Sequence, residues 1–132
     1  MEMSQELIQI KKFKPHQDLL ELTDMIRYLK SEQIAGTFTY GYNSNKRCVT
    51  GALAVEYFGS KDNNDDIINV IKDSWVSKFK TIYKVIYDSK EGRTVQKVNL
   101  FSKLVSMNDS GRTFDEIANW TELEAYRYGT WI

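Results

Sequence analysis

From His16 to Glu32 the apolar residues Leu19, Leu22, Met25, Ile26 and Leu29 recur at three- and four-residue steps. That spacing predicts an amphipathic helix. Pro15, the only proline, suits its first turn, where a missing amide costs nothing, and Gly36 is the expected stop. Upstream, residues 3–13 carry Leu7, Ile8, Ile10 and Phe13 in a spacing that fits helix or strand. Residues 37–42, TFTYGY, read as a short extended segment feeding the polar turn NSNKR. From Arg47 the small residues Thr50, Gly51, Ala52 and Ala54 alternate with Leu53, Val55 and Tyr57 as far as Gly59. They predict a helix whose small face packs closely on a neighbour.

Asn64 or Asp65 is placed to cap the next helix. Ile67, Ile68, Ile71, Trp75, Phe79, Ile82 and Ile86 fit one helical stripe to about Tyr87. The alternative is a helix to Phe79 followed by a β-rich TIYKVIY, paired with TVQKVNLF through KEGR. Val95, Val98, Phe101, Leu104 and Val105 fit a helical face better than strict alternation. The repeated Gly-Arg-Thr at 92–94 and 111–113 favours a Thr-capped helix in both places. Thr113 and Glu116 have the spacing of a capping box after the turn formers Asn108 to Gly111. Phe114, Ile117, Ala118 and Trp120 then open the last helix, to about Tyr126.

These elements predict a mainly α fold, a small single-domain bundle of four or five helices over residues 1–132 with at most a short β element. The alternative is α+β with a hairpin at about 81–101. The expected core contains Leu22, Ile26, Leu53, Ile71, Phe101, Leu104, Ile117 and Trp120. The tail 127–132, RYGTWI, which follows Tyr126, is aromatic where chain ends are normally polar. Tyr126, Tyr128 and Trp131 are therefore the candidate interface, and a homodimer is the expected assembly.

Eighteen basic and eighteen acidic residues give a net charge of zero. That balance argues against general nucleic-acid binding, which needs surplus Lys and Arg. Arg27, Lys30, Lys46, Arg47, Lys78, Lys80 and Lys84 lie near Tyr40, Tyr42 and Tyr83, a combination able to bind single strands. At zero net charge an ordinary mixed surface is the plainer reading. Aromatics make up 13% of the chain, and surplus Tyr and Trp suit protein interfaces. One cysteine excludes an internal disulfide framework and suits a reducing compartment. MEMSQELIQIKK lacks a signal-like apolar run, and no stretch approaches a membrane span. The expectation is a cytoplasmic protein with no membrane role and with a protein partner.

Cys48, Gly51, Ala52 and Leu53, followed by Asn108, Asp109, Gly111, Arg112, Thr113, Glu116 and Ile117, form a Cys-x-x-Gly-Ala-Leu … Asn-Asp-x-x-Gly-Arg-Thr-x-x-Glu pattern. It covers about residues 17–124 and resembles a family of short bacterial and phage proteins that carry a domain of unknown function. The chain departs from that pattern by a longer middle at 60–95 and by Met107 where a Trp is usual. The resemblance implies a mostly helical small domain of a phage or mobile-element accessory protein. It implies no activity.

Candidate chemistry is sparse. Cys48, after Arg47 and near a helix start, is a weak nucleophile candidate, with His16, the only histidine, as its base. Its plainer role is a small apolar residue in a tight contact. One Cys and one His make no usual zinc site, and the acidic loop 62–66 lacks the glycine and closing glutamate of a calcium loop. No metal or cofactor is expected. Asn108, Asp109 and Arg112 at a helix start are weak ligand-binding candidates for a small anion, although such turn residues most often serve their own backbone. The leading expectation is a non-catalytic binding module. The alternatives are a cysteine-dependent enzyme using Cys48 with His16, and an anionic-ligand-binding or sequestering protein.

Overall fold

The computed structural model describes residues 12–85 and 94–132, and side chains at 12–79 and 98–132. In chain order the elements are β1 (Phe13–Lys14), α1 (Gln17–Arg27), β2 (Glu32–Gln33), β3 (Lys46–Arg47), α2 (Val49–Glu56), α3 (Asn64–Asp73), α4 (Trp75–Lys78), β4 (Lys80–Val85), β5 (Thr94–Asn99), α5 (Leu100–Asp109), α6 (Phe114–Arg127) and β6 (Thr130–Trp131). The fold is mainly α: six helices and three two-stranded pairings among the described residues. The part of segment 3–13 before Lys12 and the Gly92–Arg93 turn lie outside them.

The helices α1 and α6 pack antiparallel. The His16 amide reaches the Ala125 carbonyl at 2.8 Å, and Arg27 at the other end meets Asn119 and Glu122. Their buried threonines need no outside partner, because Thr23 and Thr121 each return a hydroxyl bond to the carbonyl four residues back. Leu19, Leu22, Ile26, Leu53, Leu104 and Ile117 fill the main core, and Ile71 joins Ala54 and Ile67 in a second cluster. Phe101 and Trp120 pack against the core while remaining partly exposed.

The helix α2 is buried at every position from Val49 to Ala54. A helix apolar all round belongs inside. Helices α1, α3 and α5 pack on it, and the Phe38 carbonyl accepts the Cys48 amide at its start. Where a Cβ would stand on Gly51, the Phe38 carbonyl carbon lies 2.7 Å away. The small residues at this helix are therefore what lets the 36–45 loop lie on it.

Several sequence expectations give way. Helix α1 ends at Arg27 rather than near Gly36. The Glu56 carboxylate takes the next free amides, Lys30 at 2.9 Å and Ser31 at 3.1 Å. Glu32–Gln33 then runs extended beside Lys46–Arg47 in parallel. The stripe from Ile67 is not one long helix. The Ser74 hydroxyl bonds the Ile71 carbonyl and closes α3, then one short turn leads into β4. Thr94 opens a strand, not a helix. The antiparallel register Lys80↔Asn99 to Val85↔Thr94 is the hairpin alternative, in keeping with the β-branched run TIYKV. Asn99 caps α5 through the Ser102 amide at 2.8 Å. The cap of α3 is Asn63, not Asn64 or Asp65. The Thr113–Glu116 capping box forms as expected.

Candidate functional site

Two side chains at the turn that ends α5, those of Asn108 and Asp109, reach distant backbone. Asn108, fully buried, donates from Nδ2 to the Ile34 carbonyl at 2.6 Å. Its Oδ1 accepts the Val49 amide at 3.0 Å and Gln33 Nε2 at 2.9 Å. Gln33 continues the chain of bonds to the Arg112 carbonyl and the Phe114 amide. Asp109 accepts the Gly36 amide at 3.0 Å. Arg112 enters through its backbone, and its exposed side chain stands beside an open concavity of about 220 Å³ lined by Gln33, Ile34, Ala35, Asn108 and Gly111. Asn108 and Asp109 are thus committed to positioning the 33–36 strand end.

Cys48 is the N-cap of α2. Its Sγ accepts the Gly51 amide at 3.4 Å and lies 3.1 Å from the Thr50 hydroxyl. Burial pushes the thiol above its ordinary range, against the opposing pull of those two bonds. Cys48 lines a small pocket of about 80 Å³ with Phe38, Val105 and Asp109. His16 caps α1 by accepting the Leu19 amide on Nδ1, and its ring meets Phe79 edge-on at 5.3 Å. No hydrogen bond among the described residues joins His16 to Cys48. No group of three potential metal ligands converges among them either.

The best-built constellation was not legible in the sequence. Arg47, buried, holds Asp62 in a two-pronged pair, Nε to Oδ1 at 3.1 Å and Nη2 to Oδ2 at 2.7 Å. Such fork-to-fork pairing fixes geometry as well as charge. The guanidinium also donates to Ser31 Oγ and Asn45 Oδ1. Ser31 in turn donates to Glu56 at 2.7 Å. The hydrogen bond from Arg47 holds the Asp62 carboxyl below the usual carboxylate range, opposed by burial and helped by the Thr39 hydroxyl. The same bond raises Arg47 further.

This network is the floor of the loop 36–45, Gly-Thr-Phe-Thr-Tyr-Gly-Tyr-Asn-Ser-Asn. Asp109 holds Gly36, and the Cys48 amide donates to the Phe38 carbonyl. Asn64 Oδ1 accepts the Thr39 amide at 3.1 Å, and Thr39 Oγ1 accepts the Gly41 amide at 3.0 Å. Asn45 Nδ2 donates to the Lys30 carbonyl at 3.0 Å. Above that floor Tyr40 is 63% exposed and Tyr42 68%. Thr39 points in and Tyr40 out, as alternation along the Thr39↔Arg47 bridge requires. Tyr28 and Tyr57, at the ends of α1 and α2 that flank the Glu56 cap, are exposed as well.

The aromatic tail divides. Tyr128 packs against the core and meets Phe79 edge-on at 5.2 Å. Tyr126 and Trp131 remain exposed although both contact Phe13. None of the described helices is long and apolar enough to cross a membrane. Comparison with known proteins gives no further assignment: no family model, no curated protein and no solved structure matches this chain.

Proposed function

We propose that the protein is a non-catalytic binding module that recognises a protein partner through the tyrosine-bearing loop 36–45, with Tyr28 and Tyr57 beside it. The observation that carries this reading is the contrast within one short segment. Tyr40 and Tyr42 are exposed, while Asp109 and Asn64 pin the loop backbone at Gly36 and Thr39, Asp62 accepts the Thr39 hydroxyl, and Asn45 ties the loop to the Lys30 carbonyl. Tyr offers large amphipathic contact area at low entropic cost, and Ser, Gly and Asn offer adaptable hydrogen bonds. Holding such a loop rigid before binding removes much of the ordering penalty. Zero net charge favours a protein over nucleic acid as the partner. The raised thiol of Cys48 and its separate bonding from His16 weigh against the cysteine-enzyme alternative. The Cys48-to-Glu116 pattern supports a place among phage or mobile-element accessory proteins, and the free thiol supports a cytoplasmic one.

The test is capture from the native host by the tagged full chain, mass-spectrometric identification, and affinity measurement with the purified partner. Replacing Tyr40 and Tyr42 together by Ala is expected to weaken binding by at least about tenfold, as for hot-spot tyrosines, with unchanged circular dichroism. Equal affinity for both proteins would overturn the reading.

A second reading rests on the concavity beside Arg112. There a small anion would pair with the guanidinium. Titration with inorganic phosphate, followed by amide shifts at Ala35 and Gly111 and abolished in Arg112→Gln, checks it. No shift removes it.

A further inference from the structure

We infer that a second copy of this chain docks on the face formed by Phe13, Leu123, Tyr126 and Trp131, joined through the outer edge of β6 across a two-fold axis at Trp131. This goes beyond the tyrosine loop and uses the other end of the molecule. Tyr28 closes the C-terminal end of α1, whereas β1 precedes its N-terminal cap.

The backbone register supplies the first argument. The Ile132 amide donates to the Lys12 carbonyl at 2.8 Å, and Phe13 lies opposite Trp131. In an antiparallel ladder bonded and non-bonded pairs alternate, so Phe13↔Trp131 is a non-bonded pair. The N–H and C=O of Trp131 therefore point away from β1, toward an edge that no strand among the described residues pairs with. An unpaired edge is a template for another strand. A two-fold axis beside Trp131 makes it face its own copy, and each Trp131 then accepts and donates one bond. This pairing is self-complementary, as an isologous contact must be.

The side chains give the second argument. Directly opposed residues of an antiparallel pair project from the same face, so the two Trp131 indoles cover one another. Trp131 is 68% exposed despite meeting the Phe13 ring at 5.3 Å, and Tyr126, stacked on Phe13 at 6.1 Å, is 51% exposed. Leu123, one turn earlier on α6, is 70% exposed. With Ile132 at the strand end, these residues offer on the order of 500 Å² of exposed surface, at the upper end of what a monomer leaves uncovered. That is the apolar centre of an interface needing about 800 Å² per partner. The zero net charge puts no long-range repulsion between copies.

The measurement is light scattering behind size exclusion on the full chain across a concentration series. A 15.4 kDa monomer is expected to give way to twice that mass at micromolar concentrations. Trp131→Lys and Leu123→Lys, both on exposed positions that leave the core intact, are each expected to raise the dissociation constant at least about tenfold. Indole emission is expected to shift to the blue on association in the wild type, and the shift is expected to vanish in Trp131→Phe. A monomer at every concentration overturns the inference. So does a dimer that both lysine variants leave unchanged, which would use another face, and so does an assembly larger than two.

Discussion

The side-chain oxygen of Asn108 accepts the amide of Val49 across 59 positions of sequence. That amide is the first of α2 and has no partner within its own helix. Asn108 thus acts as a cap supplied from another element, while its Nδ2 secures the Ile34 carbonyl. One buried side chain fixes the end of α5, the start of α2 and the strand end before Gly36.

Asn108→Ala is expected to lower stability by about 2–4 kcal/mol, because it leaves the buried Val49 amide and the partly buried Ile34 carbonyl without this partner. Asn108→Asp keeps an acceptor for Val49 and Gln33 but turns an oxygen toward the Ile34 carbonyl. It is expected to fall between wild type and Ala. Urea midpoints at constant slope measure both. A loss below about 1 kcal/mol for Asn108→Ala would mean that water replaces all of these bonds.

The sequence exposed what is local and concealed what is distant. The capping box at Thr113 and Glu116 was legible because both partners lie within one turn. The stripe Leu19, Leu22, Ile26 was legible because one helix face carries it. The helix end at Arg27 was not, because the Glu56 carboxylate that captures Lys30 and Ser31 comes from another helix. The strand at Thr94 was misread for a similar reason. Its apolar spacing, Val95 to Val98 and on to Phe101, favours a helix, and pairing with Lys80–Val85 overrides it. Among site residues, Asn108 and Asp109 stood out as turn formers, but their bonds to residues 34, 36 and 49 leave no mark in spacing. Arg47 and Asp62 looked like surface charges, since nothing in the chain announces a buried pair.

Acid is expected to weaken the tyrosine loop through Asp62. Its carboxyl titrates lower in the folded chain than in the unfolded one. A depressed carboxylate contributes stability that is present above the unfolded value of about 3.9 and is lost as pH falls through the folded value. Unfolding free energy should therefore decline below about pH 4. Asp66, held low by the Lys61 amide and the Ser60 hydroxyl, adds to the same slope. Asp62→Asn should flatten the decline in part. Asp62→Ala, which strands Arg47, should cost about 3–5 kcal/mol at neutral pH. An identical acid slope in Asp62→Asn would show that the pair does not drive it.

Two glycines predict opposite kinds of damage when changed to alanine. At Gly51 the new Cβ would press on the Phe38 backbone, with its carbonyl carbon 2.7 Å away. An exposed helix interior gains about 1 kcal/mol from Gly→Ala, so a net loss of about 2 kcal/mol here would report overpacking. At Gly129 the Cβ would meet the Lys14 carbonyl oxygen at 2.6 Å and the Phe13 ring. The expected result is a tail lifted from β1, with little change in global stability. Amide exchange of Ile132 should accelerate while α1 and α6 stay protected. Unchanged exchange at Ile132 would show that the β1–β6 pairing absorbs the methyl by a backbone shift.

Cys48 provides the sharpest division between binding module and enzyme. A nucleophilic thiol is one lowered into the thiolate form by nearby cations or a base. Cys48 sits next to Arg47 in sequence, yet the guanidinium is occupied by Asp62, and burial drives the thiol the other way. Reaction with a disulfide reagent at pH 7 should be slower than that of a free thiol by at least about tenfold, following its smaller thiolate fraction and poor access. Denaturant should restore the free rate. Cys48→Ser keeps a cap for the Gly51 amide, and is expected to retain partner binding and lose at most about 1 kcal/mol of stability. Reaction faster than a free thiol, with its rate falling in a His16→Ala variant, would instead establish a Cys48–His16 pair and reverse the functional reading.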